Sequence, residues 1–277
     1  MPQPGTSTRP TPPRVIAIAN FKGGVGKTTT AVNLAGALIL RQQRVLLIDL
    51  DAQGNAGTIL NVTSTAEQLG VRYLLHSDTY GVAECVITRG PYLDVIPADP
   101  DLLEVEQHLF YMPDGRLRLR HKLAAASSGY DVVILDCPPS MGALTQCALS
   151  AAQEVIIPVD VGFLSITGLL RMQTLVEQIR QTVNPALRLA GVLATKYDSR
   201  TTLSGQTVET IQSMGLPMFA HPIRVSVDII RAQIARKPIS GFAPGSSADQ
   251  DYHALAQALF PTLAPRTPDL VQAHQER

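Results

Sequence analysis

Short apolar runs alternate along the chain with longer segments that have the length and composition of helices. Six runs are rich in aliphatic and β-branched residues and lack polar alternation, which is typical of strands covered on both faces. These runs are Val15–Ala19, Val45–Ile48, Leu93–Ile96, Val132–Leu135, Val155–Val159 and Leu189–Ala194. Helical segments include Lys27–Leu40, Ser165–Gln181 and Leu203–Met214. The alternation predicts βα crossovers and an α/β fold with a doubly wound, mostly parallel sheet flanked by helices.

The two ends of the chain differ in composition from the region between them. Residues 1–13 contain five prolines, and residues 265–277 are polar with two prolines. We expect both segments to be flexible tails. The region from 14 to 264 has the size of one domain, and we expect it to fold as one. The first segment also lacks the apolar stretch of a secretory signal.

Composition then excludes several classes of protein. Of 277 residues, 45% are hydrophobic and 17% are charged, which supplies a packed core and argues against disorder. No uncharged apolar stretch approaches the roughly 18 residues of a membrane span, so we expect no membrane-spanning helix. The C-terminal segment has two prolines and no aromatic residue, which is unlike an amphipathic membrane anchor, so we expect no membrane partner. The 23 basic and 23 acidic residues cancel, which argues against binding nucleic acid through overall charge. The three cysteines form no CxxC pair, so neither a disulfide framework nor a zinc site is expected in a cytoplasmic protein.

A glycine-rich loop follows the first predicted strand and opens the first predicted helix. Its residues are Lys22, Gly23, Gly24, Val25, Gly26, Lys27, Thr28 and Thr29. Glycines let successive backbone N–H groups turn towards phosphate oxygens, and the start of the helix adds its positive dipole end. In such a loop Lys27 contacts the β and γ phosphates and the Thr28 hydroxyl binds Mg²⁺. We therefore predict that these eight residues bind ATP with Mg²⁺.

Carboxylates follow two of the predicted strands. Asp49 and Asp51 come directly after Val45–Ile48, and Asp136 ends the run Val132–Leu135. Open α/β sheets bind ligands at the carboxyl ends of their strands. An aspartate after four apolar residues is typical of a Walker B strand, in which Asp136 would hold Mg²⁺ through a water molecule. The spacing of Asp49 and Asp51 taken alone is also compatible with capping a helix.

The glycine-rich loop departs from an ordinary P-loop, because Asn20 stands where the first glycine would be and Lys22 follows it. This pattern resembles the deviant Walker A motif of the ParA/MinD superfamily of P-loop NTPases, and the resemblance covers about residues 14–260. In that family the early lysine reaches across a dimer interface to the partner's nucleotide. The resemblance therefore implies that Lys22 acts in trans, in the manner of an arginine finger, and that Lys22 and Lys27 are both catalytic.

Other segments extend the resemblance to partition ATPases of the ParA/Soj type. The DxDxQ pattern matches at Asp49, Asp51 and Gln53. It implies that Asp51 is catalytic and positions the attacking water, while Asp49 supports the Mg²⁺ shell. Further matches are Asp94–Ala98, Ile156–Val159, Gly191–Arg200 and Lys237–Ile239. The resemblance also implies base contacts from three residues near the adenine, which are Lys196, Arg224 and Val225.

DNA contacts are implied by the resemblance and by local charge. Residues 161–240 hold nine basic and four acidic side chains, a net charge of +5. Such residues bind phosphates without reading sequence. The expected contacts are Arg200, Arg231, Arg236 and Lys237. However, Asp228 stands where an arginine that contacts DNA is often found in this family.

The resemblance implies an ATP-dependent DNA-partition ATPase. Mg-ATP would close a sandwich homodimer that binds double-stranded DNA without sequence preference, and a ParB-like partner would stimulate its weak hydrolysis. We expect such a protein in the cytoplasm, associated with the nucleoid. The alternative is a MinD-like or other cargo-positioning ATPase on a membrane or protein track, although the C-terminal segment lacks the amphipathic helix of a membrane anchor. Reductases and ligases that share the loop form a third class. The sequence leaves the replicon, the partner, polymerisation on DNA and the turnover rate open.

Overall fold

Seven strands form one sheet in the order β3-β4-β2-β5-β1-β6-β7. The strands are β1 Arg14–Ile18, β2 Val45–Asp49, β3 Ile87–Thr88, β4 Leu93–Ile96, β5 Val132–Asp136, β6 Glu154–Asp160 and β7 Arg188–Thr195. All neighbours pair in parallel except β3, which runs antiparallel to β4. The predicted α/β class and the six predicted strands are confirmed, each bound to within one residue. Strand β3 was not predicted, because two residues are too short for a hydrophobic pattern.

The structure is a computed structural model that describes residues 12–65, 68–126, 129–161 and 163–262, with only the backbone at 163 and 164. The predicted tails lie almost entirely outside the described residues, and the single domain over 14–264 stays a prediction.

Helices occupy most of the connections between the strands. They are α1 Lys27–Ile39, α2 Asn55–Ile59, α3 Val71–His76, α4 Val82–Cys85, α5 Leu102–Tyr111, α6 Arg118–Ala126, α7 Ala143–Ala151, α8 Phe163–Thr182, α9 Thr202–Ser213, α10 Val227–Ile234, α11 Ile239–Phe242 and α12 Ser247–Leu259, with a 3₁₀ turn at Gly115–Leu117. The three helices named from the sequence begin and end within two residues of α1, α8 and α9.

The sheet separates two hydrophobic layers. Ile16 and Ile18 of β1 pack on one side, in the layer that contains α1 and α12. Val15 and Ala17 pack on the other side, in the layer that contains α7 and α8. Because both faces are covered, each position of the central strands is apolar, which explains the continuous runs in the sequence.

The carboxyl ends of the central strands bring polar residues to one edge of the sheet. Asp49 of β2 lies in register with Asp136 of β5, and Asp160 of β6 lies in register with Thr195 of β7.

The three cysteines are buried and free, as expected. None of the helices in the part of the chain that the structure describes has both the length and the apolar character needed to cross a bilayer.

Candidate nucleotide and magnesium site

The loop between β1 and α1 adopts a conformation that glycine permits. Gly24 and Gly26 have φ of 72° and 87°, in the left-handed region that disfavours side chains. The N-terminus of α1 has no side-chain cap, so its first N–H groups are free to bind an anion. Val25 in the same loop is buried, and its carbonyl accepts a hydrogen bond from Thr195 Oγ1 at 2.8 Å. The loop is thus tied to β7, and the N–H groups at the start of α1 remain available.

Lys27 lies inside this loop and is only 6% exposed. Its Nζ donates to the carbonyl oxygen of Lys22 at 3.1 Å. Burial lowers the pKa of Lys27 below its usual value, and the charges of Asp136 and Asp51 oppose that change. The ammonium is therefore close enough to Asp136 and Asp51 to interact with their charges.

The Asp136 carboxylate is fully buried, and among the described residues neither Oδ1 nor Oδ2 accepts a hydrogen bond of normal geometry. Burial raises the pKa of Asp136 well above its usual value, and the neighbouring Asp49 adds to the rise. The nearby Thr28 hydroxyl and the charge of Lys27 oppose it. A buried acceptor left without a donor destabilises the fold, and a cation is the ligand that would satisfy it.

Asp49 differs from Asp136, because its oxygens already have partners. Oδ1 accepts from the backbone N–H of Asp51 at 3.2 Å, and Oδ2 accepts from Ala56 and Gly57 at 3.0 and 3.1 Å. Burial raises the pKa of Asp49, and these N–H donors act against the rise. The side chain fastens the loop after β2 and the start of α2 beside Asp136. Its place in the magnesium site stays a prediction, and its support of the Mg²⁺ shell would act through the backbone that it holds.

Asp51 is the most exposed of these three aspartates. It is 9% exposed, and its Oδ1 accepts from the backbone N–H of Gln53 at 3.1 Å. The next turn is closed by a hydrogen bond from Gly54 N to Asp51 O at 2.8 Å. One carboxylate oxygen of Asp51 has no recorded partner among the described residues, so the side chain is both positioned and able to accept a further hydrogen bond.

The side chain of Lys22 reaches the end of β6. Its Nζ donates to Asp160 Oδ1 and Oδ2 at 2.8 and 3.1 Å and to Ser165 Oγ at 3.1 Å. The two lysines of the loop therefore face different surroundings, as their different expected roles require. Sequence analysis did not identify Asp160, although it ends a parallel strand in the same way as Asp49 and Asp136.

The two segments expected near the adenine meet beside the loop. Tyr197 N donates to Ile223 O and Val225 N donates to Tyr197 O, both at 3.0 Å. Val225 and Lys196 are exposed, whereas Arg224 grips Asp251 of α12 with distances of 2.6 to 3.0 Å. The three base contacts stay predictions, and the guanidinium of Arg224 already has a structural partner.

The four basic residues assigned to DNA form an outer basic group, Arg200, Arg231, Arg236 and Lys237, and all four are exposed. Three of them contact a neighbour in the same chain. Arg200 makes a two-pronged pair with Asp198 at 2.8 and 2.9 Å. Arg231 lies 3.5 Å from Asp228, and Arg236 donates to Asn61 at 2.6 Å. The acid at 228 therefore faces a basic residue of its own helix.

Comparison with known proteins identifies the family. A family model described as an AAA domain matches residues 13–189. The chromosome partitioning protein ParA of Caulobacter vibrioides is 39% identical over 252 residues, which cover 90% of this chain and 94% of that protein. The sporulation initiation inhibitor protein Soj of Bacillus subtilis is 36% identical over 245 residues, with 88% and 97% covered. The chain belongs to the ParA/Soj family of partition ATPases.

A solved structure supports the fold and the cofactor pair of this family. The cobyrinic acid a,c-diamide synthase of Mycobacterium smegmatis, with bound ADP and magnesium, has a TM-score of 0.79 and 32% identity, and covers 92% of this chain and 100% of its own. The ATP and Mg²⁺ expected from the sequence agree with that content. The site in our structure fits them, because the two buried oxygens of Asp136 lie near Thr28 and Lys27 and accept no hydrogen bond of normal geometry within the described part of the chain.

No group of three or more His, Cys, Asp or Glu within residues 12–65, 68–126, 129–161 and 163–262 is arranged to hold a metal. Mg²⁺ usually takes one or two protein oxygens and completes its shell with water and substrate phosphates. Thr28 and Asp136, the predicted ligands, would be that number of protein oxygens, and binding of metal and nucleotide would then be coupled.

Proposed function

We propose that this chain is an ATP-driven DNA-segregation switch. Mg-ATP binds between the β1–α1 loop and Asp136, two such subunits close into a sandwich homodimer, and the dimer binds DNA without reading its sequence. Hydrolysis, stimulated by a ParB-like partner protein, returns the subunits to the released state. The protein would work in the cytoplasm on the nucleoid.

The observation that carries this proposal is the fully buried Asp136, which accepts no hydrogen bond of normal geometry among the described residues and lies near Lys27 and the uncapped start of α1. A triphosphate with Mg²⁺ supplies what each group lacks: oxygens for the ammonium and the N–H donors, and a cation for the carboxylate. Bound Mg²⁺ would neutralise the charge that develops on the transferred phosphoryl group.

The division of labour between the other residues follows from where they lie. Lys27 would hold the phosphates in its own subunit, because it is buried inside the loop. Asp51 would orient the attacking water, because its carboxylate is fixed and retains acceptor capacity. Lys22 would act on the nucleotide of the second subunit, as the family resemblance implies, and within its own subunit its ammonium is bound by Asp160 at the end of β6.

DNA binding rests on the exposure of the outer basic group and on the local excess of positive charge. Pairing of Arg200 and Arg231 with Asp198 and Asp228 makes each contact weak in one subunit. A dimer would present two copies of the group to one duplex, so that weak contacts act together. Dimerisation would therefore switch on DNA binding by doubling the outer basic group.

The direct test is sedimentation velocity and gel shift with nucleotide-free, ADP-bound and ATP-bound protein across salt concentrations. We expect a dimer and DNA binding only with Mg-ATP, with the logarithm of the binding constant falling linearly with the logarithm of salt at a slope of about −0.9 per neutralised phosphate. Lys22→Ala should bind ATP and fail to dimerise or hydrolyse it. DNA affinity that is equal in all three states would contradict the DNA switch and favour a cargo-positioning ATPase on a membrane or protein track.

A further inference from the structure

Lys22 is held within its own subunit by a complete set of hydrogen bonds. An ammonium has three hydrogens to donate. Here the three acceptor atoms are both carboxylate oxygens of Asp160 and the hydroxyl oxygen of Ser165, at 2.8, 3.1 and 3.1 Å. A lysine in this arrangement can contact a phosphate only by giving up at least one of these partners.

Further hydrogen bonds hold the backbone of Lys22 and the side chain of Asp160 in place. Lys22 N donates to Asn20 Oδ1 at 3.0 Å, and Asn20 Nδ2 donates to Pro158 O of β6 at 2.7 Å, so the loop is fastened to the strand that carries Asp160. The Ser165 hydroxyl also donates to Asp160 Oδ1. Partial burial acts to raise the pKa of Asp160, but the hydrogen bonds from Lys22 and Ser165 outweigh it and lower that pKa.

We propose that Asp160 is a positioning residue that retains Lys22 in its own subunit, so that Lys22 must leave Asp160 and Ser165 before it reaches a nucleotide bound by a second copy of this chain. This inference rests on the proposed function, because only a sandwich dimer gives Lys22 a target in trans. Asp160 would thereby raise the concentration of ATP-bound subunits at which the dimer forms.

The retention is reversible, because Asp160 keeps a second cation nearby. The charge of Lys196, which follows β7, also lowers the pKa of Asp160. In addition, the side chains of Lys22 and Asp160 are 32% and 20% exposed, so water screens the pair. An ion pair of this exposure changes an equilibrium by about threefold, and since each of two subunits releases one lysine, the dimer constant changes by about tenfold.

The first experiment measures the contact itself, without any dimer. Nucleotide-free protein is treated with an amine-reactive ester, and the rate of acylation at Lys22 is followed by mass spectrometry. We expect Asp160→Asn to accelerate labelling of Lys22 severalfold and Ser165→Ala to accelerate it less. Glu177→Gln is the matched control, because it removes one acid of α8 that pairs with Arg180 at the same 2.8 Å. An unchanged rate at Lys22 in Asp160→Asn overturns the proposal.

The second experiment measures the consequence. With a non-hydrolysable ATP analogue and Mg²⁺, sedimentation equilibrium should give an Asp160→Asn dimer about tenfold tighter than wild type, and the Glu177→Gln dimer should match wild type. Lys22→Ala should not dimerise, and adding Asp160→Asn to it should not restore the dimer, because no lysine remains to be released. A weaker Asp160→Asn dimer, or a dimer restored by Asp160→Asn without Lys22, overturns the proposal.

The two experiments separate this inference from the proposed function. If wild type stays monomeric with the analogue, the sandwich dimer is contradicted and the release step with it. The labelling rate at Lys22 would still show whether Asp160 holds the lysine, because that measurement needs neither nucleotide nor a second subunit.

Discussion

Two charged regions of this ATPase differ in how deeply their charged groups are buried and in whether those groups have partners within the chain. The nucleotide corner, formed by Lys27, Asp51 and Asp136, is buried, and Asp136 accepts no hydrogen bond of normal geometry among the described residues. The outer basic group is exposed, and Arg200, Arg231 and Arg236 each have a neighbour in their own chain. A buried group without a partner indicates a ligand, because the fold tolerates its desolvation for some other purpose. An exposed and paired arginine gives no such indication.

The largest expected effect is in the nucleotide corner. Lys27→Ala should weaken Mg-ATP binding by about 100-fold or more, because it removes a buried cation whose place is beside the triphosphate. Isothermal titration calorimetry with a non-hydrolysable analogue measures this. Arg116→Ala, an exposed residue outside the site, is the control and should bind as wild type. Near-normal affinity in Lys27→Ala would contradict the assignment of the loop.

The next effect separates binding from chemistry within the same corner. Asp51→Ala should bind Mg-ATP normally and lose about 100-fold in partner-stimulated turnover, because it removes the acceptor that orients the attacking water. Single-turnover hydrolysis together with the calorimetric affinity distinguishes the two steps. Full turnover in Asp51→Ala would show that another residue positions the water.

A third prediction tests the cost of the unpartnered carboxylate. Because burial raises the pKa of Asp136, the unfolded chain releases this proton at lower pH than the folded chain, and stability falls as pH rises above about 4. Asp136→Asn should therefore raise the free energy of unfolding at pH 7 by about 1–2 kcal/mol, a gain of several degrees in Tm.

Thermal scans of the Asp136→Asn variant supply their own control. The gain should shrink as the pH falls below about 4, where the wild-type carboxyl becomes protonated in both states. With Mg-ATP the order should reverse, because only wild type is stabilised by ligand binding. An Asp136→Asn protein that is less stable than wild type without nucleotide would show that the carboxylate has a partner in the fold.

The smallest effect is expected in the outer basic group. Hydrogen bonds from Arg200 lower the pKa of Asp198 to about 2, so this acid stays ionised at any working pH and competes with DNA phosphates for the guanidinium. Asp198→Asn should strengthen DNA binding of the ATP-bound dimer about threefold. Arg200→Ala should weaken it and reduce the salt slope by about one per subunit, with ATP-induced dimerisation intact. Weaker binding in Asp198→Asn would show that Asp198 positions Arg200 for DNA.

The strands and the phosphate loop could be predicted because their causes are local. A strand covered on both faces must be apolar at each position, so β1, β2 and β5 are visible as continuous runs. Positive φ at Gly24 and Gly26 requires glycine, so the loop is visible as a motif. The short strand β3 had no such signal, because its two residues depend on pairing with β4.

The tertiary structure decided which residues far apart in the sequence contact each other. The sequence by itself determined the fold class, the phosphate loop and the acids at the strand ends. It could not show that Lys22 pairs with Asp160, which lies 138 positions away. Nor could it show that the carboxylate oxygens of Asp49 accept hydrogen bonds from nearby backbone N–H groups, whereas those of Asp136 accept none of normal geometry among the described residues. Which strands become neighbours depends on how the whole sheet packs, and burial and pairing of a charge exist only once those neighbours are in place.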